Sequence, residues 1–300
     1  EALAEQRARS RRDARKSLGD WHQVRDQKDT RFVGYDQTKV RDARVVKYRT
    51  IEVKDEDQYH LVLDKTPFYP EGGGQVGDTG TMRIDDQEIK VLDTIRENEL
   101  IIEIVDQLPE NPEAEVKAEV DADRRKLIAN NHSATHLLHA ALREVLGDHV
   151  QQKGSLLNHE YLRFDFAHYQ KVTEEELQKI EHLVNQKIRQ NIPKQEARDI
   201  PIDEAKEAGA LMLFGEKYGD KVRMITFDPD YSRELCGGCH VSATGEIGFF
   251  KIINETSVSA GVRRIEAVTA DAAEEYVRDE FDTLNRLESM LQDFKNPEHS

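Results

Sequence analysis

The stretch that most constrains this chain is an uninterrupted helical pattern at residues 124–147, which carries two histidines four residues apart. Ala and Leu are dense in it, Gly and Pro are absent from its interior, and Gly147 stands where the residue after a helix C-terminus is expected. Positions i and i+4 share one helix face, so His132 and His136 should leave the same side one turn apart. Such a pair can present two nitrogen ligands to a single metal ion.

A second candidate ligand segment, residues 235–241, lies far downstream and reads Leu-Cys-Gly-Gly-Cys-His-Val. Its glycines allow a turn tight enough for a thiolate and an imidazole to face one ion. Either segment alone is more typical of ordinary structure, but together they predict a Zn²⁺ site. A redox pair formed by the two cysteines is a weaker interpretation, because a metal site also accounts for the histidines. The predicted ligands are His132, His136, Cys236 and His240.

Composition limits the function classes. The 300 residues carry a net charge of −16, which excludes a predominantly basic nucleic-acid coat and requires any RNA to meet a local positive patch. The only two cysteines lie in the predicted metal loop, so a reducing compartment, the cytoplasm, is expected. No apolar run approaches the ~20 residues that span a bilayer, and no signal peptide is evident. Because the chain starts with Glu1 in a helical pattern, we expect a fragment of a longer protein.

The hydrophobic pattern changes along the chain and predicts an α+β fold in four parts. Residues 1–29 are charged and helical, 30–115 contain short strands typical of a small β-barrel, 116–270 form an α+β domain, and 271–300 return to helix. Pro109 and Pro112 predict the linker between the second and third parts. The predicted strands of the barrel are 45–48, 59–64, 81–84, 89–92 and 100–105.

Three consecutive glycines, Gly72, Gly73 and Gly74, lie within the predicted barrel. They permit positive φ angles or a close backbone approach to a ligand. No Gly-Lys-Ser/Thr follows, so this is not a phosphate-binding P-loop. A tight inter-strand loop and a substrate-facing loop are equally compatible with these residues.

The α+β part contains further local signals. Thr173 with Glu176 predicts a helix N-terminus with a capping box, and that helix should end near Gln190. In the final helix, apolar residues at spacings of three and four predict a packing stripe, with a coiled-coil dimer seam as the less favoured alternative. The stripe comprises Val277, Phe281, Leu284, Leu287, Leu291 and Phe294.

These motifs occur together in an order that resembles the editing region of alanyl-tRNA synthetases. The resemblance covers about residues 30–270 and extends to threonyl-tRNA synthetase editing domains and to freestanding proteins that deacylate mischarged alanine tRNA. Residues 1–29 resemble the end of a tRNA-binding helical domain, and 271–300 resemble a lead into a C-terminal domain. The motifs that carry it are His132-x3-His136, 152–155 (Gln-Lys-Gly-Ser), Cys236-x3-His240, the loop 67–75 and 261–267 (Gly-Val-Arg-Arg-Ile-Glu-Ala).

The resemblance implies hydrolysis of Ser-tRNA(Ala) and Gly-tRNA(Ala) by a zinc-containing deacylase domain. The complete protein would ligate alanine to tRNA(Ala) using ATP, and could dimerise through C-terminal regions outside this chain. Cys239 departs from the family, which commonly has Thr there; we favour a passive small residue over a competing ligand. The implied residues are Cys236, Gln152 and Thr135 for catalysis; Gly72, Gly73, Gly74, Arg263 and Arg264 for substrate; and His132, His136, Cys236 and His240 for zinc.

Several alternatives remain at this point. Four protein ligands would close a tetrahedral zinc, so either one ligand is replaced by water or the zinc only orients the substrate. A non-catalytic zinc module that binds tRNA, or a freestanding deacylase, would carry the same motifs. A zinc metalloprotease is excluded, because Ser133 stands where that helix motif needs Glu. Candidate phosphate contacts are Arg124, Arg125, Lys126, Lys153, Arg263 and Arg264.

Overall fold

The computed structural model describes residues 19–27, 30–212 and 218–295, with side chains as far as residue 291. Its contacts divide the chain into a first unit, Glu1–Arg125, and a second unit, Lys126–Ser300. Of the predicted helical segment 1–29, residues 1–18 and 28–29 lie outside the described part, and the strand His22–Gln23 falls in the remainder. The division into 1–29, 30–115, 116–270 and 271–300 stays a prediction.

The first unit is built from antiparallel strands. Seven of them form one sheet in the order β1-β3-β4-β8-β7-β6-β9, and β2 pairs with β5 in a short parallel ribbon. The 15-residue strand β3 pairs with β9 along its first half and with β4 along its second half. The strands are β1 (His22–Gln23), β2 (Arg31–Phe32), β3 (Lys39–Val53), β4 (Glu56–Leu63), β5 (Lys65–Thr66), β6 (Gly80–Ile84), β7 (Gln87–Glu97), β8 (Leu100–Val105) and β9 (Glu115–Val120).

Alternation along these strands creates the core of the first unit. In β9, Val116, Ala118 and Val120 are buried while the residues between them are exposed, as expected for a strand with one face in the core. The same core contains Leu61, Met82 and other inward-facing side chains. The sequence prediction of short strands in this part is therefore confirmed, and closure into a barrel stays a prediction.

The second unit combines helices with two antiparallel sheets. Helix α1 (Ala122–Leu146) is followed by a four-stranded sheet, β10-β11-β16-β15, and a three-stranded sheet, β12-β13-β14. Its other elements are β10 (Gln152–Leu157), β11 (Leu162–Ala167), α2 (Glu174–Arg189), β12 (Gln195–Pro201), α3 (Ile202–Glu207), β13 (Lys221–Phe227), β14 (Ser232–Leu235), a 3₁₀ turn (Thr244–Ile247), β15 (Phe250–Ser259), β16 (Val262–Thr269) and α4 (Ala270–Lys295).

Helix α1 is fixed by its apolar side. Leu138, Ala141 and Leu142 share one buried core with Phe164 of β11 and Ile265 of β16. The predicted helix at 124–147 is confirmed, and Gly147 adopts a φ of 113° directly after its last residue. The predicted mixture of helices and antiparallel sheet is likewise confirmed for the second unit.

Helix α2 begins as its sequence predicts. The Thr173 hydroxyl accepts a hydrogen bond from the Glu176 backbone N–H (3.2 Å), and the Glu176 carboxylate accepts one from the Thr173 N–H (2.8 Å). This reciprocal pair satisfies two backbone donors that a helix start otherwise leaves unpaired. The helix ends at Arg189, with Gln190 as its C-terminal cap.

Of the stripe predicted for the last helix, Val277 is half-buried and the other described side chains are exposed, so its packing role stays a prediction. Phe281, Leu284, Leu287 and Leu291 are all more than half exposed. The sequence repeat gave the correct helix, but no element of the described chain covers these side chains. Among the helices described, none combines the length and apolar character required to cross a membrane.

Candidate metal centre

Four side chains from two distant segments converge in the second unit. His132 and His136 come from α1, while Cys236 follows β14 directly and His240 lies four residues beyond it. One potential ligand atom from each residue lies within 4.8 Å of the other three. The Cys236 Sγ is 3.3 Å from His132 Nε2 and 3.2 Å from His240 Nε2. The structure thus brings together the four residues predicted as ligands.

The spacing suits a single metal ion. Zn–N bonds of about 2.0 Å and Zn–S bonds of about 2.3 Å place tetrahedral ligand atoms roughly 3.3–3.8 Å apart. The separations around the Cys236 Sγ are close to this range. Three imidazoles and one thiolate form a donor set that favours a borderline ion such as Zn²⁺ over hard, oxygen-seeking cations. The residues present therefore fit a metal of this kind.

Burial keeps the imidazoles in the form that binds metals. His132 and His136 are each 4% exposed, whereas Cys236 and His240 are half-buried. Burial lowers the pKa of His132 and His240 well below the ordinary value, and it lowers the pKa of His136 despite the opposing effect of Glu234. Neutral imidazoles offer a lone pair to a metal without first releasing a proton.

Ser133 joins the helix to the cysteine loop. Its hydroxyl lies 3.1 Å from His240 Nδ1 and accepts a hydrogen bond of 3.1 Å from the Val241 backbone N–H. Ligating histidines generally need such a partner on the second ring nitrogen to fix the ring orientation. The sequence analysis used Ser133 only to exclude a protease and missed this contact; its place between the two histidines was the available signal.

A buried carboxylate lies behind the cluster. Glu234 is 3% exposed, and its Oε1 lies 3.1 Å from His139 Nδ1 while its Oε2 lies 3.8 Å from His136 Nε2. Burial would raise the pKa of Glu234, but His136 and His139 lower it further than burial raises it. His139 also contacts Phe164 and is not part of the four-residue group. Sequence reasoning missed Glu234, although it stands only two residues before Cys236 in the sequence.

Of the predicted catalytic residues outside the cluster, Thr135 is buried and Gln152 is half-buried. Thr135 is 4% exposed, and its hydroxyl donates to the Asn131 carbonyl one turn earlier in α1 (2.8 Å). Gln152 begins β10, is half-buried, and donates from Nε2 to the Ser155 hydroxyl (3.3 Å). Their roles in catalysis stay predictions.

The predicted substrate glycines belong to the first unit. Gly72 forms an isolated antiparallel bridge with Gln75, and its carbonyl accepts a hydrogen bond from the Tyr69 hydroxyl (3.2 Å). Gly73 and Gly74 adopt φ angles of 59° and 81°, which explains the need for glycine at both positions. A tight loop is present, and its contact with substrate stays a prediction.

Three of the arginines proposed for phosphate binding form ion pairs with carboxylates of their own unit. Arg263 contacts Glu255 through two hydrogen bonds (2.5 and 2.6 Å), and Arg264 contacts Asp165 in the same way (2.6 and 2.8 Å). These bidentate pairs favour a structural role, and phosphate binding by Arg263 and Arg264 stays a prediction. Arg125 is buried and contacts Asp78 and two backbone carbonyls of the first unit, so its assignment as a phosphate contact is wrong.

A groove in the second unit lies apart from the cluster residues. Its volume is about 720 Å³, and its lining comes from the start of α2, from β15 and from α4. Thr173, Leu177, Asn254 and Tyr276 contribute to it, whereas none of the four cluster residues does. The groove therefore adds nothing to the metal centre.

Comparison with known proteins identifies the class of this chain. A family profile described as tRNA synthetases class II (A) matches residues 1–124. A second profile, described as the threonyl and alanyl tRNA synthetase second additional domain, matches residues 222–266, which include Cys236 and His240. These matches relate the chain to the class of class II aminoacyl-tRNA synthetases that carry this additional domain.

Individual relatives narrow the class to one family. The chain is 57% identical to the alanine–tRNA ligase of Cytophaga hutchinsonii over 98% of its length, and 58% identical to that of Salinibacter ruber over 89%. It is 54% identical to the alanine–tRNA ligase of Bacteroides thetaiotaomicron over 96% of its length. The chain belongs to the alanyl-tRNA synthetase family. It covers 33%, 28% and 33% of these three relatives, respectively, or about a third of their length.

Proposed function

We propose that this chain carries the editing activity of an alanyl-tRNA synthetase. The reaction is hydrolysis of the ester that joins serine or glycine to the 3′-terminal adenosine of tRNA(Ala). The observation that carries the proposal is the convergence of His132, His136, Cys236 and His240. Support also comes from the match of residues 222–266 to the second additional domain of threonyl and alanyl tRNA synthetases.

The need for such an activity follows from the chemistry of the three amino acids. A pocket for alanine gains only ~1–3 kcal/mol of discrimination against glycine, which lacks one methyl group, and excludes an added hydroxyl poorly. A second site with polar groups that pair with the serine hydroxyl would leave those groups unpaired when alanine is bound. Alanine would thereby be protected relative to serine, whereas the proposed hydrolysis of Gly-tRNA(Ala) rests on the family match, because glycine lacks the hydroxyl as well.

In this proposal the four cluster side chains hold Zn²⁺. A bound zinc ion supplies positive charge that orients and polarises groups close to it. Because four protein ligands complete a tetrahedral set, we assign the placement of the attacking water to Gln152, to Thr135 and to the ribose hydroxyls of the tRNA. Thr135 already donates its proton to Asn131, so its hydroxyl is left to act as an acceptor.

The remaining assignments extend the proposal to the tRNA and to the whole protein. Gly72, Gly73 and Gly74 would approach the acceptor end, and Arg263 and Arg264 would contact phosphates only in competition with Glu255 and Asp165. The complete protein would ligate alanine to tRNA(Ala) with ATP in the cytoplasm, with possible dimer contacts in its C-terminal regions.

Deacylation of three substrates tests the proposal. With Ser-tRNA(Ala), Gly-tRNA(Ala) and Ala-tRNA(Ala), we expect hydrolysis of the first two and protection of the third. Gln152→Ala should slow hydrolysis by about 100-fold, the scale for loss of one preorganised hydrogen-bonding group, with unchanged zinc content. Gln151→Ala, at the exposed neighbouring position, is the matched control. A protein that binds zinc and tRNA but hydrolyses none of the three would be a binding module and would overturn the proposal.

A further inference from the structure

Arg223 contacts the Cys-Gly-Gly loop, residues 236–238, which carries the proposed cysteine ligand. It belongs to β13, the central strand of the three-stranded sheet, and its side chain is only 10% exposed. A nearly buried guanidinium needs hydrogen-bond partners to offset its lost hydration. The partners described below belong to the Cys-Gly-Gly loop and to the neighbouring strand β12.

Arg223 holds the Cys236 backbone from two sides. Its carbonyl accepts a hydrogen bond from the Cys236 N–H (3.1 Å), and its Nη1 donates to the Cys236 carbonyl (2.9 Å). The same Nη1 donates to the Gly238 carbonyl (2.7 Å), and the Gly238 N–H in turn lies 3.4 Å from the Cys236 Sγ. The loop is therefore fixed at the residue that supplies the thiol and at the second glycine after it.

The guanidinium is itself held in place by β12. Its Nε donates to Glu196 Oε1 (2.7 Å), and Lys194 Nζ lies 3.1 Å from Glu196 Oε2. Arg198 also contacts Glu196. Partial burial raises the pKa of Glu196, but the hydrogen bonds from Arg198 and Arg223 outweigh it and bring the pKa to about 2. Glu196 therefore stays anionic at neutral pH and keeps Arg223 oriented.

A loop with two consecutive glycines needs such a restraint. Glycine loses more conformational freedom on folding than any other residue, so an unrestrained Cys-Gly-Gly loop would sample many thiol positions. Only a few of these would place Sγ about 3.3 Å from His132 Nε2 and His240 Nε2, as the structure does. Metal binding would then have to supply the free energy of ordering the loop.

We propose that Arg223, oriented by Glu196, is a positioning residue that presents the Cys236 thiolate to the metal. This inference rests on the proposed zinc centre and adds an account of how its cysteine ligand is held in position. Arg223 touches neither the ion nor the substrate in this role; it acts through the backbone of the ligand loop.

The direct test compares two arginines of the same sheet. Arg223→Met should weaken zinc binding by about 10–100-fold in competition with a chromophoric chelator, the range for groups that support metal ligands. Arg233→Met is the matched control, because Arg233 of β14 donates to the Ala208 carbonyl and should leave zinc affinity unchanged. In the Co²⁺-substituted protein, Arg223→Met should also lose intensity in the thiolate-to-cobalt charge-transfer band.

A conservative variant separates positioning from general stability. Arg223→Lys retains the charge but cannot reproduce the planar fork that reaches Glu196 and two carbonyls together, so its zinc affinity should fall between wild type and Arg223→Met. If Arg223→Met does not fold, the zinc affinity of Arg223→Lys provides the test. Wild-type zinc affinity and band intensity in either variant would overturn the inference.

The outcomes distinguish this inference from the proposed function. A wild-type protein that binds zinc but hydrolyses no aminoacyl-tRNA would refute the editing proposal, while the zinc affinities would still decide the role of Arg223. Normal editing and normal zinc affinity in Arg223→Met would refute only the role of Arg223. A wild-type protein without zinc affinity would refute both.

Discussion

The Ser133 hydroxyl connects helix α1 to two residues of the cysteine segment, His240 and Val241. Removal of its hydroxyl in Ser133→Ala would free the His240 ring and leave the Val241 N–H without its partner. We expect zinc affinity to fall by about 10–100-fold, as for other groups that orient metal ligands, with little change in fold. Ser232→Ala, a buried serine on β14, is the control and should retain wild-type affinity. An unchanged zinc dissociation constant in Ser133→Ala would show that the ring needs no such support.

A second residue-scale prediction concerns a carboxyl group in the core of the first unit. Glu103 of β8 is fully buried, and burial raises its pKa from 4.5 to about 8. The folded state therefore keeps a proton that the unfolded state releases near pH 4.5. The stability contribution of the neutral carboxyl is complete below pH 4.5 and is lost as the pH rises towards 8.

Glu103→Gln removes this titration. Its free energy of unfolding should depend less on pH between 4.5 and 8, and at pH 8 it should exceed that of wild type. The gain should be on the order of a few kcal/mol, because one unit of pKa difference corresponds to about 1.4 kcal/mol. Denaturant unfolding at pH 5 and pH 8 measures it, with exposed Glu88→Gln as control. A parallel pH dependence in wild type and Glu103→Gln would contradict the assignment.

Residue identity and spacing were sufficient to predict the four-residue cluster but not the residues that contact it. His132 and His136 share a helix face by periodicity, and Cys236 with His240 is a recognisable ligand pair, so both segments could be predicted. Arg223 sits in an ordinary strand pattern, and its contact with the cysteine loop depends on the pairing of β13 with β14. No short-range signal encodes that register.

At the scale of single elements, the cap of α2 gives a direct prediction. Thr173→Ala removes one of the two reciprocal hydrogen bonds and should lower the free energy of unfolding by about 1 kcal/mol. Thr173→Ser retains the hydroxyl and should lose little. Zinc affinity should be the same in both variants, because α2 supplies none of the four cluster side chains. Equal stability of Thr173→Ala and wild type in denaturant unfolding would contradict the role of the cap.

Helix starts could be predicted because their signals are local, whereas sheet partners could not. The 124–147 helix and the Thr173 cap were both correct, since spacing and side-chain hydrogen bonds decide them. Strand β9 was missed because its three small apolar residues alternate with charged ones, which is a weak signal. Its pairing with β3 and β6 is what defines it as a strand. The stripe of α4 stays a prediction, because helical periodicity predicts an apolar face without saying what covers it.

For the whole molecule, the two units have separate cores, and the metal centre is built entirely within the second. Helix α1 and the loop after β14 meet there through tertiary packing, with residues separated by about a hundred positions in the chain. The net charge of −16 gives no general attraction to RNA, so the proposed recognition of tRNA would have to come from local groups. The editing activity proposed for this chain would therefore depend on the four-residue cluster rather than on overall electrostatics.

The initial rate of Ser-tRNA(Ala) hydrolysis by Cys236→Ala, compared with wild type, tests the central claim most directly. Loss of the thiolate removes one of the four predicted ligands and leaves the three imidazoles, so zinc binding should weaken and the geometry of the cluster should be lost. We predict a rate at least about 100-fold below wild type, because loss of a ligand should cost no less than loss of a group that supports one. A wild-type rate in Cys236→Ala would contradict the account.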